Sequence, residues 1–185
     1  MANPANARIN GENVTQFDSV NVRKNLYIGG VLINPNAYVT ATRTTDLAIG
    51  TTPVEIPFES IGAQKNVDVN GTDITFLVSG VYQVTIEFSI EKISSGGINA
   101  AFGWIRLNGI DVPNSAFGAA LTNQSPYYNG TFISAIGNVS AGDILTVAAS
   151  ASADAVAQLD SASATGGPDI PSVRIALSKI EGVEF

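Results

Sequence analysis

Gly80-Val-Tyr-Gln-Val-Thr-Ile-Glu-Phe-Ser-Ile-Glu-Lys92 alternates strictly in side-chain character. Tyr82, Val84, Ile86, Phe88 and Ile90 fall on one side, and Gln83, Thr85, Glu87, Ser89 and Glu91 on the other. Successive side chains of a strand point to opposite faces, so this period of two predicts a long strand with one buried and one wet face, not a helix. At about 3.3 Å per residue it runs about 35 Å, the height of a domain. Burying its apolar side contributes roughly 8–15 kcal/mol gross, an upper limit because the unfolded chain is already partly collapsed. A half-exposed antiparallel strand of this length belongs in a sandwich or barrel.

The neighbouring sequence supplies partners for it. Asn70-Gly71 lies between Val67-Asp-Val69 and Thr72-Asp-Ile74, and Asn108-Gly109 between Ile105-Arg-Leu107 and Ile110-Asp-Val112. Both pairs carry the signature of a type I′ hairpin, because Asn and Gly tolerate the positive φ such turns demand. Further strands are predicted over residues 54–58, 99–107, 131–136, 144–151 and 172–180. Short, evenly spaced strands with Gly and Asn turns favour an all-β antiparallel sandwich. Residues 148–167 are mostly Ala, Ser, Thr, Gly and Asp. That stretch offers little apolar side chain to anchor a helix, so a strand followed by a loop is expected.

The 185 residues are enough for one domain with a sizeable core and an appendage. A net charge of −7 and a shortage of Lys and Arg argue against a nucleic-acid partner, which needs clustered cations. No apolar run approaches the roughly 18 residues of a membrane span, and no secretory leader precedes the domain. Synthesis in a cytoplasm without membrane insertion is therefore expected. The absence of Cys rules out a disulfide framework, so packing or oligomerisation must hold the fold.

With neither His nor Cys, triads of Ser-His-Asp or Cys-His type and the usual zinc sites are excluded. Carboxylate chemistry, a Ser-Lys pair or oxygen-ligated metal remain. Glu87 and Glu91 share the wet face of the long strand but stand about 13 Å apart, too far for a glycosidase pair. Asp68, Asn70 and Asp73 resemble a calcium loop, yet the later acidic ligands of such a loop are missing and a hairpin turn explains them better. Lys24, Lys65, Lys92 and Lys179 sit in no nucleophile motif. No cofactor and no enzymatic activity are expected.

In their order, four segments resemble the trimeric jelly roll of the tumour necrosis factor ligands and complement-type globular heads. They are Gly80-Val81-Tyr82 opening the long strand, Trp104-Ile-Arg-Leu-Asn-Gly109, Ala141-Gly142-Asp143-Ile144, and Pro171-Ser-Val-Arg-Ile-Ala-Leu177. The resemblance covers residues 42–181 and implies a homotrimer. The family's collagen-like stalk and secretory leader are lacking, which points away from a secreted ligand.

Residues 1–40 differ in character from the rest. Three basic and two acidic side chains give them +1, leaving −8 for the remainder of the −7 chain. Their apolar residues come in close pairs, Val20 with Val22, Leu26 with Ile28, and Val31 with Ile33. So thin a segment cannot bury itself and lacks coiled-coil heptads. It resembles the attachment regions and β-structured shafts of bacteriophage fibre and capsid-decoration proteins. The expected organisation is an extended N-terminal β arm, residues 1–40, that docks or trimerises, and a jelly-roll head over residues 41–185. An extra strand pair folded back on the head is the alternative.

Together these readings describe a non-enzymatic virion protein, a homotrimeric capsid-decoration or fibre protein contacting other virion proteins through its arm. A receptor- or glycan-binding head of a phage tail fibre, with a host-surface glycan as partner, is the alternative. A carboxylate-based hydrolase ranks below both. Residues 100–107 carry apolar side chains on both faces, so Phe102 and Trp104 are the expected subunit contacts.

Overall fold

The computed structural model describes residues 26–28, 31–33, 36–94, 97–123, 127–162 and 167–180, the first two spans and residues 133–135, 137 and 138 as backbone only. The chain divides into two units, Met1–Asn34 and Pro35–Phe185. Strands β1 (Leu26–Ile28) and β2 (Val31–Ile33) pair antiparallel in the first unit. Leu26 lies opposite Ile33 and Ile28 opposite Val31. Register and the period of two therefore put these four residues on one side of the strand pair.

The second unit is an antiparallel jelly-roll sandwich. Its strands are β3 (Tyr38–Arg43), β4 (Leu47–Ile49), β5 (Val54–Glu55), β6 (Ser60–Lys65), β7 (Val67–Asn70), β8 (Asp73–Phe76) and β9 (Gly80–Lys92). After them come β10 (Asn99–Leu107), β11 (Ile110–Asp111), β12 (Phe117–Leu121), β13 (Tyr127–Val139), β14 (Ile144–Ala151), β15 (Ala157–Leu159) and β16 (Val173–Ile180). No helix occurs among the described residues.

The long strand β9 organises the first sheet. β13 pairs along one edge from Gly80 to Glu91, so β16, opposite residues 81–88, and β15, opposite residues 90–92, share the other edge in succession. Beyond them, β3 pairs with β16 and β4 with β15, and β6 closes the sheet against β3. In the second sheet β14 lies between β10 and the pair β8 and β5; β7 extends it past β8, and β11 and β12 pair with β10. Tyr82, Val84, Ile86, Phe88 and Ile90 are buried between the sheets, as their alternation requires. Facing them are Ile74, Phe76, Ile105, Leu145 and Val147, all fully buried. At one end Phe117 packs 4.7 Å from Phe88, and Gly103 keeps the room for it. A Cβ on Gly103 would stand 2.3 Å from the Phe117 ring.

Several boundaries differ from those read in the sequence. The strand expected over residues 54–58 pairs only at Val54 and Glu55; Pro57 has no N–H to continue the ladder. The strand expected over 131–136 extends to Tyr127–Val139, with a register break after Ile136. β15 was not expected; its Ala157 and Leu159 are buried, so two small apolar side chains suffice once β9 and β4 flank it. A division after residue 40 would cut β3, whose Val39 and Ala41 are both buried, and the sandwich starts near Pro35 instead.

The turns also differ from each other. Leu107 pairs with Ile110, and both Asn108 and Gly109 have positive φ, 52° and 76°, as type I′ requires. In the other hairpin Asn70 pairs with Asp73, so the loop is Gly71-Thr72 and only Gly71 is positive, at 61°. That pattern fits type II′, with Asn70 serving as the last strand residue.

Candidate functional site

The outward face of the first sheet is laid out in rows by its register. Across β9, β16 and β3, Val81 stands beside Ile180, then Gln83 beside Ser178 and Tyr38, then Thr85 beside Ala176 and Thr40. On these three strands the rows carry no charged side chain, the first cation alongside being exposed Lys65 of β6, opposite Tyr38, and Tyr38, Val81 and Ile180 remain 40%, 38% and 40% exposed. A shallow depression of about 300 Å³ runs between Tyr38, Thr85 and Ala176.

Charge begins one row further along. Glu87 pairs with Arg174 at 2.9 Å, both about half exposed. Beside that ion pair is a second hollow of about 310 Å³, bordered by Ser89, Asn129, Thr131 and Pro171. Its cause is topological: β9 exchanges one neighbour for another here. The Ser89 N–H donates to Ser172 O at 2.9 Å, while its carbonyl already accepts from Asp160 N at 2.9 Å. The gap between the end of β15 and the start of β16 is thus open to solvent.

Beyond the hollow, acidic groups converge on one amide. Gln158 Nε2 donates to Glu91 Oε2 at 2.9 Å and to Asp160 Oδ1 at 3.4 Å, and the Tyr127 hydroxyl donates to Glu91 Oε1 at 2.9 Å. Burial first, then the charges of Glu91 and Asp46, raise the Asp160 carboxyl above its ordinary value. The Glu91 hydrogen bond and charge likewise raise Tyr127 above the usual phenol range.

The opposite face, on the second sheet, is closed by polar contacts. Trp104 Nε1 donates to Asp111 Oδ1 at 2.8 Å, Arg106 Nε donates to the same oxygen at 2.8 Å, and the Arg106 guanidinium sits 5.5 Å from the Trp104 ring centre. Trp104 lies opposite fully buried Ala148 of β14, so the indole has intrachain partners on this outer face. Phe102, two residues away, is 41% exposed and lies opposite Gly118.

Other sequence candidates fall as follows. Leu26, Ile28, Val31 and Ile33 form the β1–β2 pair; Val20, Val22 and Lys24 lie outside the described residues. Glu87 and Glu91 occupy separate arrangements, an ion pair and the amide cluster. Asp68, Asn70 and Asp73 belong to the β7–β8 hairpin, where Asp73 accepts from Thr72 Oγ1. Lys92 is buried and donates to Gly97 O at 2.9 Å and Asn123 Oδ1 at 2.6 Å, tying the connection from β9 to β10 to the segment that follows β12. Among the described residues no group of three His, Cys, Asp or Glu is placed to hold a metal ion.

No family model matches the sequence, and no curated protein matches it. Solved structures do. Murine APRIL at pH 5.0 superposes with a TM-score of 0.52 at 8% identity, over 79% of this chain and 100% of that chain. Murine APRIL at pH 8.5 gives 0.50 at 11% identity over the same shares. The sandwich has the tumour necrosis factor fold. At such identities the likeness carries the fold alone, and the face chemistry described above belongs to this chain.

The carboxylates set the expected response to acid. Hydrogen bonds hold Asp46, Glu59, Asp111, Asp143 and Asp154 below their ordinary values of 3.8 for Asp and 4.5 for Glu. A depressed carboxylate adds stability above its unfolded value and loses it as pH falls through the folded one. Asp160, being raised, acts in the opposite sense: it favours the fold at low pH and opposes it once ionised. Glu59 is held down first by the Thr45 hydroxyl, then by Thr44, and last by the buried Arg43 guanidinium 3.1 Å away. Protonating it leaves that cation with fewer compensating charges. Without His, the melting temperature is expected to be flat between about pH 6 and 8 and to fall below about pH 4.5. Scanning calorimetry across that range checks it; a midpoint change of several degrees between pH 6 and 8 refutes it.

Proposed function

We propose that this chain is a non-enzymatic structural component of a virion, a homotrimer that decorates a capsid or forms part of a fibre and attaches through residues N-terminal to the sandwich. The observation that carries the trimer is the uncharged face over Val81, Gln83, Thr85, Ala176, Ser178 and Tyr38. A chain of net charge −7 repels copies of itself wherever its acidic groups meet. A broad surface without charge, with three half-exposed large apolar side chains, is where copies can pack without that repulsion. The tumour necrosis factor fold supports the same arrangement, because its flat sheet face allows close packing about a threefold axis.

The virion setting draws on the first unit. Its β1–β2 strand pair gathers Leu26, Ile28, Val31 and Ile33 on one side, in a unit too small to hold a core of its own. Such a pair gains stability when a second surface covers it. Electron microscopy of purified particles, with the chain labelled by an antibody fragment, tests the reading. Regular density at shell or fibre positions is expected, and label absent from particles refutes the role.

A further inference from the structure

We infer that the hollow where β16 gives way to β15 is a saccharide-binding site for a neutral, hydroxyl-rich sugar. The inference goes beyond the virion role and holds for the chain in isolation. The hollow, about 310 Å³, lies at the lower end of the range used for small ligands, roughly 300–1,000 Å³. Its polar groups sit on strands of the sheet, or directly against them, and so are held in place. Glu87 offers acceptors only, Arg174 donors only, and Ser89, Asn129 and Thr131 both. A pair of adjacent sugar hydroxyls, each able to donate and accept, matches that alternation. A purely accepting ligand does not.

Charge narrows the class further. Arg174 is the cation of this lining and is already engaged by Glu87, while Glu91 and Asp160 add negative charge beyond the rim. A carboxylated or phosphorylated ligand would meet repulsion without a free cation to offset it. Half-exposed Ile170 is the apolar side chain of the lining itself, and an aromatic ring stands beyond its rim in Tyr127. Tyr127 lies two residues from Asn129 on the same side of β13, is 57% exposed, and has its hydroxyl fixed by Glu91 at 2.9 Å. A tethered aromatic ring gives a sugar's C–H face a flat partner at small entropic cost. The hollow begins in the row next to the uncharged ones and extends towards the opposite end of β9 from Gly80.

The test uses the full chain. The methyl glycosides of glucose, galactose, mannose and N-acetylglucosamine are each titrated by saturation-transfer NMR and calorimetry, with 3′-sialyllactose as the anionic comparison. At least one neutral glycoside is expected to bind with a dissociation constant of about millimolar order. Asn129→Ala and Tyr127→Ala should each weaken it about tenfold or more, one removing the amide and the other the ring. Sialyllactose should bind more weakly than the best neutral glycoside. Sedimentation and circular dichroism of the same samples show whether the variants stay folded and associated. No binding by any neutral glycoside, binding unchanged in both folded variants, or preference for the sialylated sugar overturns the inference. Any of these leaves the trimer intact, so the result is separable from a failure of the virion reading.

Discussion

The substitution Ala176→Arg is expected to convert the proposed trimer into monomers while each sandwich stays folded. Ala176 sits in the last row of the uncharged face, between Thr40 and Thr85 and next to the Glu87–Arg174 row. In a monomer an arginine there reaches solvent along the sheet surface and costs little. In a packed interface the same cation would lose its water, and the carboxylate of the next row, Glu87, is already engaged by Arg174; a buried charge without a partner of its own costs about 3–5 kcal/mol. Since about 1.4 kcal/mol is a factor of ten, association should weaken at least about a hundredfold. Sedimentation velocity at micromolar concentration reads the outcome, and far-ultraviolet dichroism confirms the fold. Phe102→Asp is the informative companion, because Phe102 is exposed on the other sheet. If that change breaks the trimer and Ala176→Arg does not, the subunits meet through β10, as the apolar run over residues 100–107 suggests.

The contrast between those two surfaces shows how much of the site the sequence made legible. The period of two in residues 80–92 located β9 and its buried side, and the limits of β10 and β14, which are apolar on both faces, were readable from the turn residues that bound them. Trp104 was harder to place. Its apolar ring on the outward face suggested a partner chain, yet the indole N–H finds Asp111 and the ring lies opposite Ala148, a residue distant in sequence. Small residues in β14 were the available sign that something large must cover them.

Tertiary pairing decided the rest. β15 is built from Ala157, Gln158 and Leu159, which carry no strand signal until β4 and β9 lie on either side. The hollow beside Glu87 is assembled from β9, β13 and the start of β16, three segments far apart in sequence. Thr131 looked like ordinary strand surface, and Asn129 lay outside the strand expected over residues 131–136. The uncharged rows are similar: Thr40, Thr85 and Ala176 become neighbours through register alone.

Removing the first unit should abolish attachment and leave the sandwich standing. A chain running from Pro35 to Phe185 retains β3, with the buried Val39 and Ala41, and keeps the Lys179 N–H bonded to Ala37 O at 2.7 Å. Beginning instead at Thr40 would remove Tyr38 and the buried Val39 from β3 and destabilise the sheet, so the cut must precede Ala37. The Pro35 version is expected to be soluble and β-rich, with an unfolding midpoint close to that of the full chain, and to fail to bind particles stripped of the native protein. The double change Leu26→Asp with Ile28→Asp tests the same contact without truncation. It places two carboxylates on the side of the β1–β2 pair that carries Val31 and Ile33. Their desolvation at a docked surface should weaken attachment by two orders of magnitude or so, at roughly 1–3 kcal/mol for each buried polar group. Pelleting with particles measures it. Undiminished attachment of the shortened chain refutes the docking role, and unfolding of the sandwich on truncation would assign the β1–β2 pair to the domain's own stability.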